Sequence, residues 1–304
     1  MIAYLKHQEI DKTKWNDCIR NSFNGYIYAY SWYLDIVCPR WNALVEDDYK
    51  SVMPLTGNKK IGIRYLYQPP FTQQLGVFSV DKFSKEKVNE FIHAIPLHYK
   101  FIEINLNKYN AFDQSNFIIK NFLTHELDLI NAYQNLRTYF SVNTLRNITK
   151  ANKQGLRVDY TTTPEAIIKL FRKNRGKDLS NLKSKQYGMI KKIIAHCISN
   201  GLGASWGVYT SKNDLCAGAF FVQSNNKVIF LFSATNTAAK KNGAMAFLID
   251  HFIKENAQRN ITFDFEGSND KNLARFYKSF GSKECSYLHI KKNRLPFPLK
   301  LIKK

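Results

Sequence analysis

Lys227-Val-Ile-Phe-Leu-Phe-Ser-Ala-Thr235, then Lys240-Lys-Asn-Gly243, then Ile261-Thr-Phe-Asp-Phe-Glu-Gly-Ser268: these segments decide the fold. The first run is β-branched and aromatic and reads as a buried strand. After the glycine, Met245, Leu248, Ile249 and Phe252 recur at helical spacing. Residues 261–265 form a second strand, so the three segments make a βαβ unit. Ligands favour the carboxyl ends of such strands. That edge receives a glycine turn, two lysines, Glu266 and, from a short helix over 271–280, Tyr277.

Working outward, Ala204 to Tyr209, Leu215 to Gln223 and Lys227 to Thr235 form an antiparallel meander joined by polar turns. Helix 243–257, strand 261–265, helix 271–280 and strand 287–290 follow. The first half runs in a similar order. Trp32 to Val37 reads as a helix end, and Trp41 to Val45 as a strand. Ser51 to Leu55 reads as an edge strand, because Pro54 cannot donate to a ladder. The extended segment Arg64 to Phe71 precedes a helix over 84–95 with Val88, Phe91, Ile92 and Ile95 on one stripe. A strand over 101–105, a short helical segment over 116–122 and a strand over 126–129 close this half. The repeated order indicates an internal duplication. Its join is the basic helix 143–153, stopped at Gly155. The fold class is α+β (mixed α/β), divided into residues 1–138 and 139–304.

The 304 residues and the 44% apolar fraction suffice for two cores, and 14% aromatic content argues against disorder. No run approaches the roughly 18 apolar residues of a membrane span. The opening Met1-Ile-Ala-Tyr-Leu-Lys-His lacks a signal-peptide apolar region, so a cytoplasmic protein is the default expectation. Five scattered cysteines suit a reducing compartment, and seven scattered histidines give no metal-ligand spacing, so no metal is expected. Of the net charge of +21, residues 131–304 carry 30 basic against 10 acidic side chains. That asymmetry points to a polyanionic partner for the second half, weighed against a lysine-rich surface that merely confers solubility. The basic tail 291–304 reads as a solvated terminus, with an anionic membrane or nucleic acid as the alternative.

Three phrases carry a family resemblance. They are Phe263-Asp-Phe-Glu-Gly-Ser268 followed by Ala274-Arg-Phe-Tyr-Lys-Ser-Phe-Gly281, the basic helix Leu145-Arg-Asn-Ile-Thr-Lys-Ala-Asn-Lys-Gln-Gly155, and the turn Lys240-Lys-Asn-Gly-Ala-Met-Ala246. Their order resembles the GNAT acyltransferase superfamily, and more closely its tandem-domain, FemAB-like branch. The resemblance implies two GNAT-like domains, each a mixed, mostly antiparallel sheet flanked by helices. The second domain would hold the donor, and the first would wall the acceptor side. Acyl-CoA or acetyl-CoA is the implied donor. The implied donor contacts are Phe232, Ser233 and Ala234 on the strand, Lys240, Lys241, Asn242, Gly243 and Ala244 at the turn, and Asn272. Two residues depart from the family's Gln/Arg-x-x-Gly-x-Gly/Ala loop. Lys240 replaces Gln or Arg, and Met245 stands where Gly or Ala leaves room for a pyrophosphate.

Acyl transfer to an amine needs a proton acceptor for the amine and a proton donor for the leaving group. Tyr277 occupies the family's proton-donor position, and a phenol holds its proton at neutral pH. Glu266, at the strand end, is the first choice of base. In the first half, Tyr67-Gln-Pro-Pro-Phe-Thr-Gln-Gln-Leu-Gly76 is too rich in proline and amides for a sheet interior. Its Gln68, Phe71, Gln73 and Gln74 are the candidate acceptor contacts, set against an irregular edge with a proline-fixed bend. The leading expectation is therefore an N-acyltransferase acting on a small-molecule or peptide amine in an interdomain cleft. A FemAB-like aminoacyl transferase that draws on aminoacyl-tRNA is the alternative, since its RNA would meet the basic half. A non-catalytic binding protein with the same fold is the third.

Overall fold

A computed structural model describes the chain apart from residues 83, 180, 181, 298, 299 and 301–304, and without the side chains at helical positions 238 and 240. Two units emerge, one of residues 1–122 with the segment from Ser286 onward, the other of Leu123–Cys285. Among the described residues no helix is long and apolar enough to cross a membrane.

In the first unit, β1 (Ile2–Leu5), β2 (Asn42–Glu46), β3 (Ser51–Leu55) and the two-residue β6 (Phe78–Ser79) make an antiparallel sheet in that order. Helices α1 (Lys12–Asn21) and α2 (Ser31–Val37) belong to the same unit. Trp15 and Trp41 are fully buried there, with ring centroids 4.6 Å apart. The hairpin β4 (Gly57–Lys60) and β5 (Ile63–Tyr67) leads through α3 (Lys85–His93) to β7 (Tyr99–Asn105), which pairs parallel with β5. β3 is not an edge strand, since it lies between β2 and β6. Pro54 is tolerated because β6 reaches only Ser51 and Val52, so its missing N–H falls beyond that pairing.

The second unit begins in β8 (Ile118–Asp128), where a short helix over 116–122 was expected. Ile118 and Ile119 are β-branched, and a strand lets them stand on opposite faces of a ladder. Then follow α4 (Tyr133–Thr138), α5 (Val142–Lys153), β9 (Arg157–Asp159), α6 (Pro164–Lys173) and α7 (Ser184–Ser199). The meander β10 (Gly203–Tyr209), β11 (Leu215–Ser224), β12 (Lys227–Thr235) forms as the pattern predicts. β11 and β12 are buried along nearly their whole length, which requires cover on both faces. One cover is α6: a Cβ on Gly218 would lie 2.8 Å from Ile167. The other is the aromatic core, in which Phe221 stacks on Phe252 at 3.9 Å and Phe252 meets Phe263 at 4.7 Å.

After β12 come α8 (Thr237–Asn242), α9 (Ala244–Asn256), β13 (Thr262–Asp264), α10 (Lys271–Lys278) and β14 (Lys283–Asn293). β13 pairs parallel with β12, which completes the βαβ unit. The last strand of each sequence half is exchanged. β8, from the first half, pairs antiparallel with β13, while β14, from the second, pairs antiparallel with β7. The division expected at 138/139 is therefore displaced into these two strands, at 122/123 and 285/286.

Candidate active site

β13 pairs with β12 only at Lys227, Val228 and Ile229. Beyond Ile229, β12 continues to Thr235 with no β13 residue opposite, and Leu231 is bulged between its pairings with β11. Two parallel strands that start together and then part leave backbone groups open between them. Phe265, Glu266 and Tyr277 gather where β13 ends. Tyr277 is 5% exposed, stacked on Phe265 at 5.0 Å and edge-on to Phe230 at 6.3 Å.

Glu266 does not continue the strand's two-residue alternation. Its φ is +53°, in the left-handed region that a glutamate enters only at a cost. Asp264 holds it there: the Glu266 N–H donates to Asp264 Oδ1 at 3.0 Å, and the Thr124 hydroxyl donates to the same oxygen at 2.6 Å. Gly267, with φ +61°, completes the reversal, and a Cβ there would stand 3.8 Å from the Tyr277 hydroxyl. The turn thus delivers Glu266 beside Tyr277.

The electrostatics follow from burial. Glu266 Oε1 is buried and has no hydrogen-bond partner among the described residues, and burial pushes the carboxyl up to about 8. A carboxyl so placed is poised to exchange a proton near neutral pH. Burial, followed by the Glu266 and Asp270 charges, pushes the Tyr277 phenol well above its usual range, so it keeps its proton.

Behind these two lies a buried ionic cluster. Lys227 Nζ donates to Glu126 Oε1 at 2.5 Å and lies 3.7 Å from Asp264 Oδ2. The Cys285 thiol donates to Glu126 Oε2 at 3.6 Å. Burial raises the Asp264 carboxyl, opposed by Lys227 and reinforced by Glu126. Ser268 donates its hydroxyl to the Glu266 carbonyl at 3.1 Å, and His125 Nδ1 is 2.9 Å from Ser268 Oγ. With the serine proton already committed, His125 Nδ1 must be the donor. Thr124, His125, Glu126, Lys227 and Ser268 were not singled out from the sequence. A lysine and a glutamate inside otherwise apolar strands are the signal available there, but β8 and β13 pair across 138 residues at Glu126 and Asp264.

Phe232, Ser233 and Ala234 follow the bulge on β12, with Phe232 against Phe171 at 4.8 Å. The turn expected over 240–243 is instead the end of α8 plus one left-handed residue. Gly243 has φ +80°, and a Cβ would lie 2.4 Å from the Asn147 carbonyl oxygen of α5. This glycine is required by the close approach of two helices. Asn242 Oδ1 accepts the Ala244 N–H at 3.1 Å, Ala244 is fully buried, and Lys241 is exposed. Lys240 lies in α8, and its side chain is outside the described ones. Asn272 is exposed in the first turn of α10, its N–H given to Asp270 Oδ1 at 2.8 Å.

The first-half residues are tied to their own loop. Gln68 donates to the Thr72 carbonyl at 2.8 Å and accepts the Asn105 N–H at 2.9 Å. Gln74, fully buried, accepts the Lys108 N–H at 2.8 Å and donates to Gln73 Oε1 at 2.9 Å. Phe71, at φ +58°, accepts the Tyr33 hydroxyl on its carbonyl. The amides of Gln68 and Gln74 thus hold an irregular loop in place of ladder bonds.

No protein-family sequence model matches the chain, and no curated protein matches it. In three dimensions it is similar to FemX, with a TM-score of 0.65 at 13% identity, over 97% of this chain and 98% of that one. A conserved protein of unknown function from Bacteroides thetaiotaomicron gives 0.60 at 13% identity over 96% and 99%. The C-terminal domain of a putative lysylphosphatidylglycerol synthetase from Agrobacterium fabrum gives 0.51 at 8% identity over 96% and 93%. The chain therefore shares its mixed α/β fold with FemX. Of these three solved structures, FemX has the highest score and matches along nearly its whole length.

Proposed function

We propose that this protein is an acyltransferase that moves an activated acyl group to an amine at the opening between β12 and β13. The observation that carries this reading is Glu266, with a partnerless buried oxygen and a carboxyl raised to about 8, set beside a phenol that keeps its proton. In the reaction the amine nitrogen attacks the donor carbonyl carbon, and the C–O or C–S bond to the carrier breaks. The ammonium proton passes to the Glu266 carboxylate, and Tyr277 supplies a proton to the leaving oxygen or sulfur.

The donor is the point on which two readings part. An aminoacyl ester carried on RNA is favoured by the closed Gly243 turn, whose backbone is backed against α5 and not presented to a pyrophosphate. It is favoured also by two basic grooves. One, of about 450 Å³, lies along α5 with Arg146, Lys150 and Lys153. The other, of about 360 Å³, lies between α6 and α7 with Lys169, Arg172, Lys173, Lys177 and Lys191 against a single acidic residue, Glu165. Such cations bind phosphates without regard to sequence. Acyl-CoA or acetyl-CoA is the second reading, supported by the stretch of β12 beyond Ile229, which runs past the end of its pairing with β13. An amine acceptor on a small molecule or peptide suits either.

Thermal unfolding with acetyl-CoA, free CoA and bulk aminoacylated tRNA decides between them, since a ligand at 100 times its Kd stabilises by about 2.7 kcal/mol. A shift with tRNA that weakens in salt is expected; a shift with CoA alone supports the second reading. No shift with any of them, and no turnover that depends on Glu266 or Tyr277, would leave a binding protein. Tyr277→Phe is expected to lower kcat about 100-fold or more while sparing donor binding.

A further inference from the structure

We propose that one end of the first unit's sheet docks on an anionic lipid surface, inserting three apolar side chains from three loops. The strand registers place these loops together. Arg64 of β5 is level with Tyr99 of β7, and the Arg294 N–H donates to the Lys100 carbonyl at 2.7 Å. The β4–β5 turn, the turn before β7 and the segment after β14 therefore leave the sheet at the same end. Each projects one large apolar residue into solvent: Ile61 is 90% exposed, Leu97 72% and Phe297 81%.

Isolated exposed apolar residues are ordinary, but three at one end of a sheet, each from a separate segment, are not. Ile61 is the clearest. It sits at φ +48° in a two-residue hairpin turn, where asparagine, aspartate or glycine is normal and a β-branched residue is strained. Nothing in the unit's own core is gained by an isoleucine there.

The loops around these tips carry only positive charge. Lys59, Lys60 and Arg64 flank Ile61; Lys100 follows Leu97, and Arg294 precedes Phe297. Residues 57–64, 95–102 and 291–300 contain no aspartate or glutamate. The Arg64 and Lys100 charges both act on His98, which burial and these two cations hold below its ordinary value. Arg294 Nη1 is buried with no hydrogen-bond acceptor among the described residues.

Basic side chains around exposed aliphatic and aromatic tips match the two layers of an anionic membrane surface, charged headgroups over hydrocarbon. Nucleic acid would satisfy the cations but offers isoleucine and leucine no partner, since stacking on bases needs a planar ring. The occupant is therefore a lipid surface. It stands apart from the transfer chemistry, because every residue invoked lies in the first unit and none is a proposed catalytic group.

Sedimentation of the full chain with phosphatidylcholine vesicles, with and without phosphatidylglycerol, tests it. Binding to the phosphatidylglycerol vesicles, and little to phosphatidylcholine alone, is expected. Ile61→Asp combined with Phe297→Asp should lower partitioning about tenfold or more, and each Lys59→Glu or Lys60→Glu about fivefold. Ile130→Asp, an exposed apolar site in the second unit, should bind like the unaltered chain. All these positions are exposed, and unchanged thermal unfolding would confirm that each variant is folded. Failure to sediment at low salt would overturn the proposal. So would an Ile61/Phe297 variant that binds as the unaltered chain does, or RNA that displaces the vesicles and binds that variant equally well.

Discussion

At the scale of single residues, Glu266 combines a strained backbone with a raised carboxyl. Its carboxyl rises from an ordinary 4.5 to about 8 through burial, so between those values the folded chain holds a proton that the unfolded chain has released. Stability from this group is intact below 4.5 and is lost as pH rises toward 8. Glu266→Gln should therefore stabilise the protein increasingly over that window, by on the order of 2 kcal/mol at the upper end, because remaining solvent contact discounts the full shift. Thermal unfolding of both chains across pH measures it, and parallel curves would refute the assignment. Activity of the unaltered chain should rise with pH through about 8 as the base ionises. That Glu266 stands at the end of the strand was legible in the sequence, since a glutamate followed by glycine ends an apolar strand. Its left-handed backbone was not, because Asp264, which holds it, is itself fixed by Thr124 from another strand.

At the scale of elements, the βαβ unit is held by one close helix contact and one buried ionic cluster. Gly243→Ala would set a Cβ 2.4 Å from the Asn147 carbonyl oxygen and force φ +80° on an alanine. A loss of about 2 kcal/mol or more is expected in denaturant unfolding. A neutral outcome would show that α5 can withdraw. Lys227→Met would leave Glu126 and Asp264 buried together without their cation, at a cost of about 3–5 kcal/mol. Adding Glu126→Gln should recover part of that loss, and failure to do so would place the cost in packing instead of charge. The strands and α9 were legible because their apolar periods differ. The glycine was legible too, but its reason was not. It was read as a turn open to an anion, whereas α8 runs up to it and α5 closes over it.

At the scale of the whole molecule, the exchange of β8 and β14 ties the ends of the sequence halves into opposite units. A chain ending at Cys285 would remove Tyr287 and the fully buried Ile290, and β7 would lose its antiparallel neighbour. Hydrogen exchange is expected to show β7 unprotected in that chain while β11 and β12 remain protected; persistent protection of β7 would contradict this. Cutting at 138/139 should yield two incomplete pieces for the same reason, one lacking β14 and the other β8.

While β8 was misread in part as a helix, sequence by itself determined the elements of the parallel βαβ unit and the placing of Glu266 and Tyr277 beside it. Those follow from apolar period, turn residues and chain order, which act over a few residues at a time. Tertiary structure decided which strand neighbours β7 and β13, why Gly243 is a glycine, and how Thr124 fixes Asp264 beneath Glu266. These depend on contacts between elements far apart in the chain, β7 with β14, β13 with β8 and Gly243 with Asn147, and neither period nor propensity carries information over that distance. The edge first marked by Lys240, Gly243, Glu266 and Tyr277 thus keeps its carboxyl and its phenol together, and α5 closes over its glycine.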